Sequence, residues 1–240
     1  MSGHSKFHNI AKKKGAADNM RAVLFAKLAK LITVAARDGG GDPAFNFQLR
    51  VAVDQAKEVN MPKDNIERAI RRGTGADASG AIEEVLYEAF GPGGSTLLIK
   101  CLTDNRNRSI AEVKTAMTKN GGTMAGQGSV AWMFEKKGTV TITDPSHVRD
   151  RDSFELSVID AGADDIIEED GVLRVICPPD QLKKVLDAIE ALQLKVDGAE
   201  IEYRAKEHVA IDDAEVKYQF ETLMEALDDL EDVDTVYTNV

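Results

Sequence analysis

Residues 138–206 read GTVTITDPSHVRDRDSFELSVIDAGADDIIEEDGVLRVICPPDQLKKVLDAIEALQLKVDGAEIEYRAK, and their apolar pattern switches between two periods. TVTIT, DDIIEE, VLRVIC and AEIEYR are short and rich in β-branched residues, as strands are. Between them, about 148–161 and 179–192 carry helical spacing. The order βαββαβ is that of a ferredoxin-like split unit.

Working outward, EEVLYEAF at 83–90 and STLLIKCLT at 95–103 are β-type segments joined by a glycine-rich turn at 91–94. A helix from about Ser109 to Lys119 follows, and then VAWMF at 130–134, a predicted strand with Trp132 in its interior. Downstream, a helix from about Asp213 to Asp228 precedes the strand VDTVYTNV. Such a pair cannot bury its own apolar face and must join a sheet elsewhere, for which the incomplete ββαβ unit at 81–135 is the acceptor. This predicts a discontinuous second domain, 81–136 plus 208–240, with the third domain, 137–207, inserted in it.

Upstream, Met20, Leu24, Leu28, Leu31 and Ala35 recur at helical steps, with Lys27, Lys30 and Arg37 on another face. The glycines at 39–41 end that helix, and a second runs from about Pro43 to Val59. A third is shorter, with Asn60 as its expected cap and Gly73 as its expected left-handed stop. Residues 17–80 read as a helical bundle domain, and 1–16 as a flexible basic arm with too few apolar residues to pack. The fold class expected is α+β: an N-terminal helical bundle followed by two α/β ferredoxin-like domains, the third inserted in the second.

The 240 residues are 43% apolar and 30% charged, a globular composition, with a formal charge of −11. The charge is segregated. Met1–Gly73 holds 14 basic and 7 acidic residues, whereas Thr74–Val240 holds 16 and 34. No run approaches the ~18 apolar residues of a membrane span, and MSGHSKFHNIAKKK lacks the apolar stretch of a secretory signal. The expectation is a cytoplasmic protein without a membrane partner. Cys101 and Cys177 sit singly in apolar runs without CxxC spacing and read as buried free thiols.

The basic arm with the first helix is the leading site candidate: Lys6, Lys12, Lys13, Lys14, Arg21, Lys27, Lys30 and Arg37 stand against Asp18 and Asp38 alone. Such a cluster suits phosphates, whose neutralisation releases counterions. The alternative is a solvated tail. The turn TDNRNRS at 103–109 offers backbone N–H groups, Arg106 and Arg108 to an anion, or else plain capping by Asp104, Asn105 or Ser109. GPGGST at 91–96 lacks the lysine of a phosphate-binding GxxxxGK[ST] loop. His4 and His8 bring no third metal ligand, and His147 and His208 lack a nucleophile context, so neither metal, cofactor nor catalysis is expected. Residues 207–234 carry eleven acidic residues against Lys217, either a solvated face or a surface that repels nucleic acid and turns the basic end toward it.

SGHSKF at 2–7, AARDGGGDP at 35–43, NMPKDNIERAI at 60–70, YEAFGPGG at 87–94, LTDNRNRS at 102–109, KNGG at 119–122 and GSVAWMFEKKG at 128–138 together resemble the YebC family, whose mitochondrial members are translational activators. The resemblance covers nearly the whole chain. It implies a helical N-terminal domain followed by two α/β domains, and nucleic-acid binding without catalysis. With His4, Ser5 and Phe7 of the arm, and Asn105 of the 103–109 turn, the expected contact set is complete. Phe7 stands where the family usually has Trp, which keeps a stacking face and loses the indole donor. The run Lys12 to Lys14 is less arginine-rich than in many relatives, which favours backbone contact over bidentate base reading. The family's two described roles are a DNA-binding regulator of transcription and a ribosome-associated factor that binds ribosomal RNA and relieves stalling. The residues do not choose between them, and oligomeric state is not legible.

Overall fold

In the computed structural model, residues 17–75, 81–148, 150–169 and 171–240 are described. The elements run α1 (Ala17–Gly39), α2 (Phe47–Glu58), α3 (Lys63–Gly73), β1 (Glu83–Phe90), β2 (Thr96–Thr103), α4 (Arg106–Lys119) and β3 (Thr123–Met124). After these come β4 (Phe134–Ile142), α5 (Arg151–Asp160), β5 (Asp165–Glu169), β6 (Val172–Cys177), α6 (Leu182–Ala191), β7 (Gly198–Ala205), α7 (Ala214–Asp228) and β8 (Val233–Thr238). The fold is mixed α/β with two antiparallel four-stranded sheets. Two compact units divide the chain, residues 1–134 with 205–240, and residues 135–204.

In the first unit, Leu28, Ile32 and Ala36 recur every four residues along α1 and are buried with Leu49, Ala52, Val53 and Ala56 of α2 and Ile66 and Ala69 of α3. Each large aliphatic side chain so buried stabilises the bundle by about 1.5–3 kcal/mol. Asn46 joins two helices. Its Oδ1 accepts the Leu49 amide at 3.1 Å, capping α2, while its Nδ2 donates to the carbonyls of Ala35 and Gly40 at 2.7 and 2.8 Å. A Cβ on Gly39 would lie 2.6 Å from that Nδ2, so the sharp α1–α2 loop requires glycine there.

Two local expectations for α3 are corrected. Its N-cap is Pro62, without a side-chain hydrogen bond, and Asn60 instead takes a positive φ of 59°. Gly73 ends the helix without a left-handed conformation; the positive φ, 78°, belongs to Gly75. A Cβ on Gly73 would meet the Ala36 Cβ at 2.8 Å, so its bare backbone allows α3 to pack closely on α1.

The sheet of the first unit has the order β3-β1-β2-β8. β1 and β2 pair along eight residues, from Glu83 opposite Thr103 to Phe90 opposite Thr96. Their connection is a 3-10 turn over Pro92–Gly94 with positive φ at Gly93 and Gly94. β8 adds to the far side of β2, with Ile99 opposite Val236. Leu97, Ile99, Cys101, Val233 and Val236 form one core with Val113 and Met117 of α4 and Phe220, Leu223 and Leu227 of α7. VAWMF is not a strand throughout: Ala131–Met133 is a 3-10 turn, β4 begins at Phe134, and Trp132 is 64% exposed rather than interior.

In the second unit the sheet order is β5-β6-β4-β7, which places the first and third strands of βαββαβ at the centre. Val140, Ile142, Leu173 and Val175 are buried there, as are Phe154 and Val158 of α5 and Val185 and Ile189 of α6. Asp150 caps α5 by accepting the Ser153 amide. The first unit's sheet is wired differently, since its central pair is joined directly as a hairpin.

Candidate nucleic-acid interface

Among the expected contact residues, His4, Ser5, Lys6, Phe7, Lys12, Lys13 and Lys14 lie outside the described residues. The rest fall into three groups.

Lys27 and Lys30 are withdrawn from the surface, at 4% and 8% exposure, which corrects the expectation that they face phosphates. Lys27 Nζ donates to the Asp228 carbonyl at 2.6 Å, at the C-terminus of α7, where the helix dipole favours a cation. Burial lowers the Lys27 pKa against the raising effect of Asp228 and Asp234. Lys30 Nζ lies 2.5 Å from Asp232 Oδ1 and donates to the Glu231 carbonyl at 3.1 Å. The two lysines therefore fasten α1 to the acidic end of the chain. Helical spacing shows that they share a face, but not that a segment two hundred residues later covers it.

Asp232 is the hub of this contact. Its carboxylate also accepts from Thr103 Oγ1 at 2.8 Å and from Arg108 Nη2 at 3.0 and 3.1 Å. Burial alone would raise its pKa, and the hydrogen bonds from Lys30, Thr103 and Arg108 overcome that and lower it. Arg108 also meets Asp104 at 3.1 Å, and Arg106 meets Glu83 at 2.5 Å. Asn105 is the N-cap of α4, accepting the Arg108 amide at 3.1 Å. The turn at 103–109 thus holds its guanidiniums on the chain's own carboxylates, and the capping alternative describes it. Arg37 likewise pairs with Asp38 at 2.7 Å and donates to the Ile82 carbonyl at 2.6 Å.

On the helical bundle, Arg21 of α1 and Arg68 and Arg71 of α3 are exposed and have no ion pair among the described residues. Arg68 and Arg71 stand three apart, one turn of the same helix face, and were not in the expected set. Their signal is in the sequence: ERAIRRG places arginines opposite the apolar positions Ile66, Ala69 and Ile70. These cations suit phosphate contact from a small rigid bundle.

Among the described residues no group of three His, Cys, Asp or Glu could hold a metal ion, and no helix is long and apolar enough to cross a membrane. Both cysteines are buried free thiols. Burial pushes Cys101 up to about 12 and Cys177 up to about 11, the reverse of an activated nucleophile.

Residues 5–76 match the TACO1/YebC protein N-terminal domain, and residues 82–240 match the TACO1/YebC second and third domain. The chain belongs to the TACO1/YebC family. A relative from Herpetosiphon aurantiacus, named "Probable transcriptional regulatory protein", is 47% identical over 240 residues, covering 100% of this chain and 94% of its own. One of the same name from Roseiflexus castenholzii is 48% identical over 243 residues, covering 100% and 95%. Among solved structures, a conserved hypothetical protein of Aquifex aeolicus is similar at a TM-score of 0.80 and 37% identity, over 97% of this chain and 95% of that one. With Lys27 and Lys30 buried, Arg21, Arg68 and Arg71 are exposed cations of the described helical bundle in this TACO1/YebC protein.

Proposed function

We propose that this TACO1/YebC protein is a non-enzymatic, cytoplasmic regulator of transcription that binds DNA through its cationic N-terminal third. The observation that carries the reading is the separation of charge. Net positive charge is confined to residues 1–73, and Arg21, Arg68 and Arg71 stand exposed on the bundle. The names of the relatives point the same way. The working division is an arm over 1–16, a helical domain over 17–80, a discontinuous α/β domain over 81–136 plus 208–240, and an inserted domain over 137–207. The acidic α/β domains repel the polymer and orient the bundle toward it.

A second reading is a ribosome-associated translation factor that binds ribosomal RNA. It is favoured by the burial of Lys27 and Lys30, which leaves α1 without a row of cations to lay in a DNA groove. Contacts from the arm and α3 are then of the backbone type that folded RNA also accepts.

Crosslinking in cells with sequencing of the bound nucleic acid separates the two. Recovery of chromosomal sites supports the regulator of transcription, and ribosomal RNA alone refutes it. In vitro, changing Lys12, Lys13 and Lys14 together to Ala lowers the salt slope of binding by about 2–3 and weakens all sequences alike. An unchanged slope clears the arm of involvement.

A further inference from the structure

Trp132 is the single tryptophan of the chain and is 64% exposed, on the 3-10 turn Ala131–Met133. Its ring does not hang free. The indole Nε1–H donates to the Ser129 carbonyl at 3.0 Å, and the loop behind it is pinned from below. The Glu88 carboxylate, on β1 and only 6% exposed, accepts the amides of Gly128 and Val130 at 2.6 Å and of Ala131 at 2.9 Å. Three amides of one short loop are thereby fixed to one buried carboxylate, whose charge they stabilise by hydrogen bonding.

A cation is anchored on the backbone of the same residue. Lys206 is exposed, and its Nζ donates to the Trp132 carbonyl at 2.7 Å while its amide donates to the Met133 carbonyl at 2.9 Å. Among the described residues Lys206 has no carboxylate partner. The adjoining Gly126, Gln127, Gly128 and Ser129 are exposed and polar or bare backbone.

We propose that Trp132 and Lys206 form a nucleotide-stacking site, in which an unpaired base lies on the indole and its phosphate meets the ammonium, with Glu88 as the positioning residue. A protein partner that used Trp132 as an anchor would take up its N–H and cover a contiguous apolar patch. Here the N–H is already satisfied and the surround is polar. What remains on offer is an exposed π face on a residue whose backbone carbonyl holds an ammonium, the combination of stacking and charge that single-stranded nucleic acid uses without regard to sequence. Because Glu88 holds the loop amides and the Ser129 carbonyl holds the indole N–H, the ring is positioned before the base arrives, so little freedom is lost on stacking.

The inference rests on the nucleic-acid reading above, and its test keeps the two apart. Oligouridylate, oligothymidylate and a duplex, each end-labelled, are titrated into the full chain while label anisotropy and tryptophan emission are followed. Since Trp132 is the sole tryptophan, emission reports this site alone. Single strands quench the emission in step with anisotropy. Trp132→Ala weakens them about 5- to 150-fold and leaves duplex affinity unchanged, whereas Trp132→Phe keeps most of the binding. Lys206→Ala lowers the single-strand salt slope by about 1. Quenching by both strands places recognition in the base and phosphate; quenching by oligouridylate alone identifies RNA as the source. If the strands bind but emission and the Trp132→Ala affinity do not change, or if emission responds only to an added protein, the stacking site is wrong and the N-terminal reading survives. If neither strand nor duplex binds, the nucleic-acid reading itself falls.

Discussion

Replacing Lys30 by Met distinguishes a lysine that holds the fold together from one that meets phosphate. The Lys30 and Asp232 side chains are 9% and 2% exposed, with 2.5 Å between Nζ and Oδ1. Removing one partner from a buried pair costs about 3–5 kcal/mol, because the other charge is left without compensation. Asp232 keeps Thr103 and Arg108, so the lower end applies, about 3 kcal/mol. For a chain of this size each kcal/mol moves the melting temperature by about 2–4 °C, which gives a fall of about 6–12 °C. Calorimetry is the assay, with attention to the transition of the unit that contains residues 1–134, since the other unit has no part in this pair. Nucleic-acid affinity is measured on the same protein at several salt concentrations, below the new transition. The salt slope stays where it was. A fall of less than about 2 °C together with a slope lowered by about 1 would refute the buried-pair reasoning and return Lys30 to the phosphate-binding set.

Three further outcomes follow from the same geometry. Arg68→Ala with Arg71→Ala leaves the melting temperature within about 1–2 °C of the parent, because neither side chain has an ion-pair partner among the described residues, yet lowers the salt slope by about 2. Burial raises the Glu88 pKa and the amides of Gly128, Val130 and Ala131 more than offset this, so it sits below the ordinary carboxylate value. The loop contact is then intact above about pH 4.3 and lost as pH falls through the lower folded value, which Trp132 emission follows; Glu88→Gln removes that acid step. Native protein at pH 8 leaves Cys101 and Cys177 unmodified by a thiol-specific disulfide reagent, whereas denatured protein reacts at both.

Element existence was largely readable from periodicity, and the misreadings have local causes. The sequence VAWMF has strand composition, but its first two amides, of Val130 and Ala131, are directed onto Glu88, so the chain turns before β4 begins. Nothing in the spacing of Glu88 and Val130 announces that they meet. Gly73 was legible as a required glycine and misread in its reason, because close helix contact and a positive φ leave the same mark in a sequence. The arginines of α3 stand in ERAIRRG on the face opposite its apolar positions, where a reading for the core alone gives them no role.

By itself the amino-acid order determined the segregation of charge and the succession of helices and strands, because both depend on residues close in the chain, and its motifs carried the family resemblance. Only the tertiary structure decided which cations face outward. Lys27 and Lys30 look like Arg68 and Arg71 on a helical wheel, yet the first pair meets Asp228, Glu231 and Asp232 after a long excursion of the chain. Solvation of a charge depends on what packs against it, and that is settled by contacts between residues far apart in sequence.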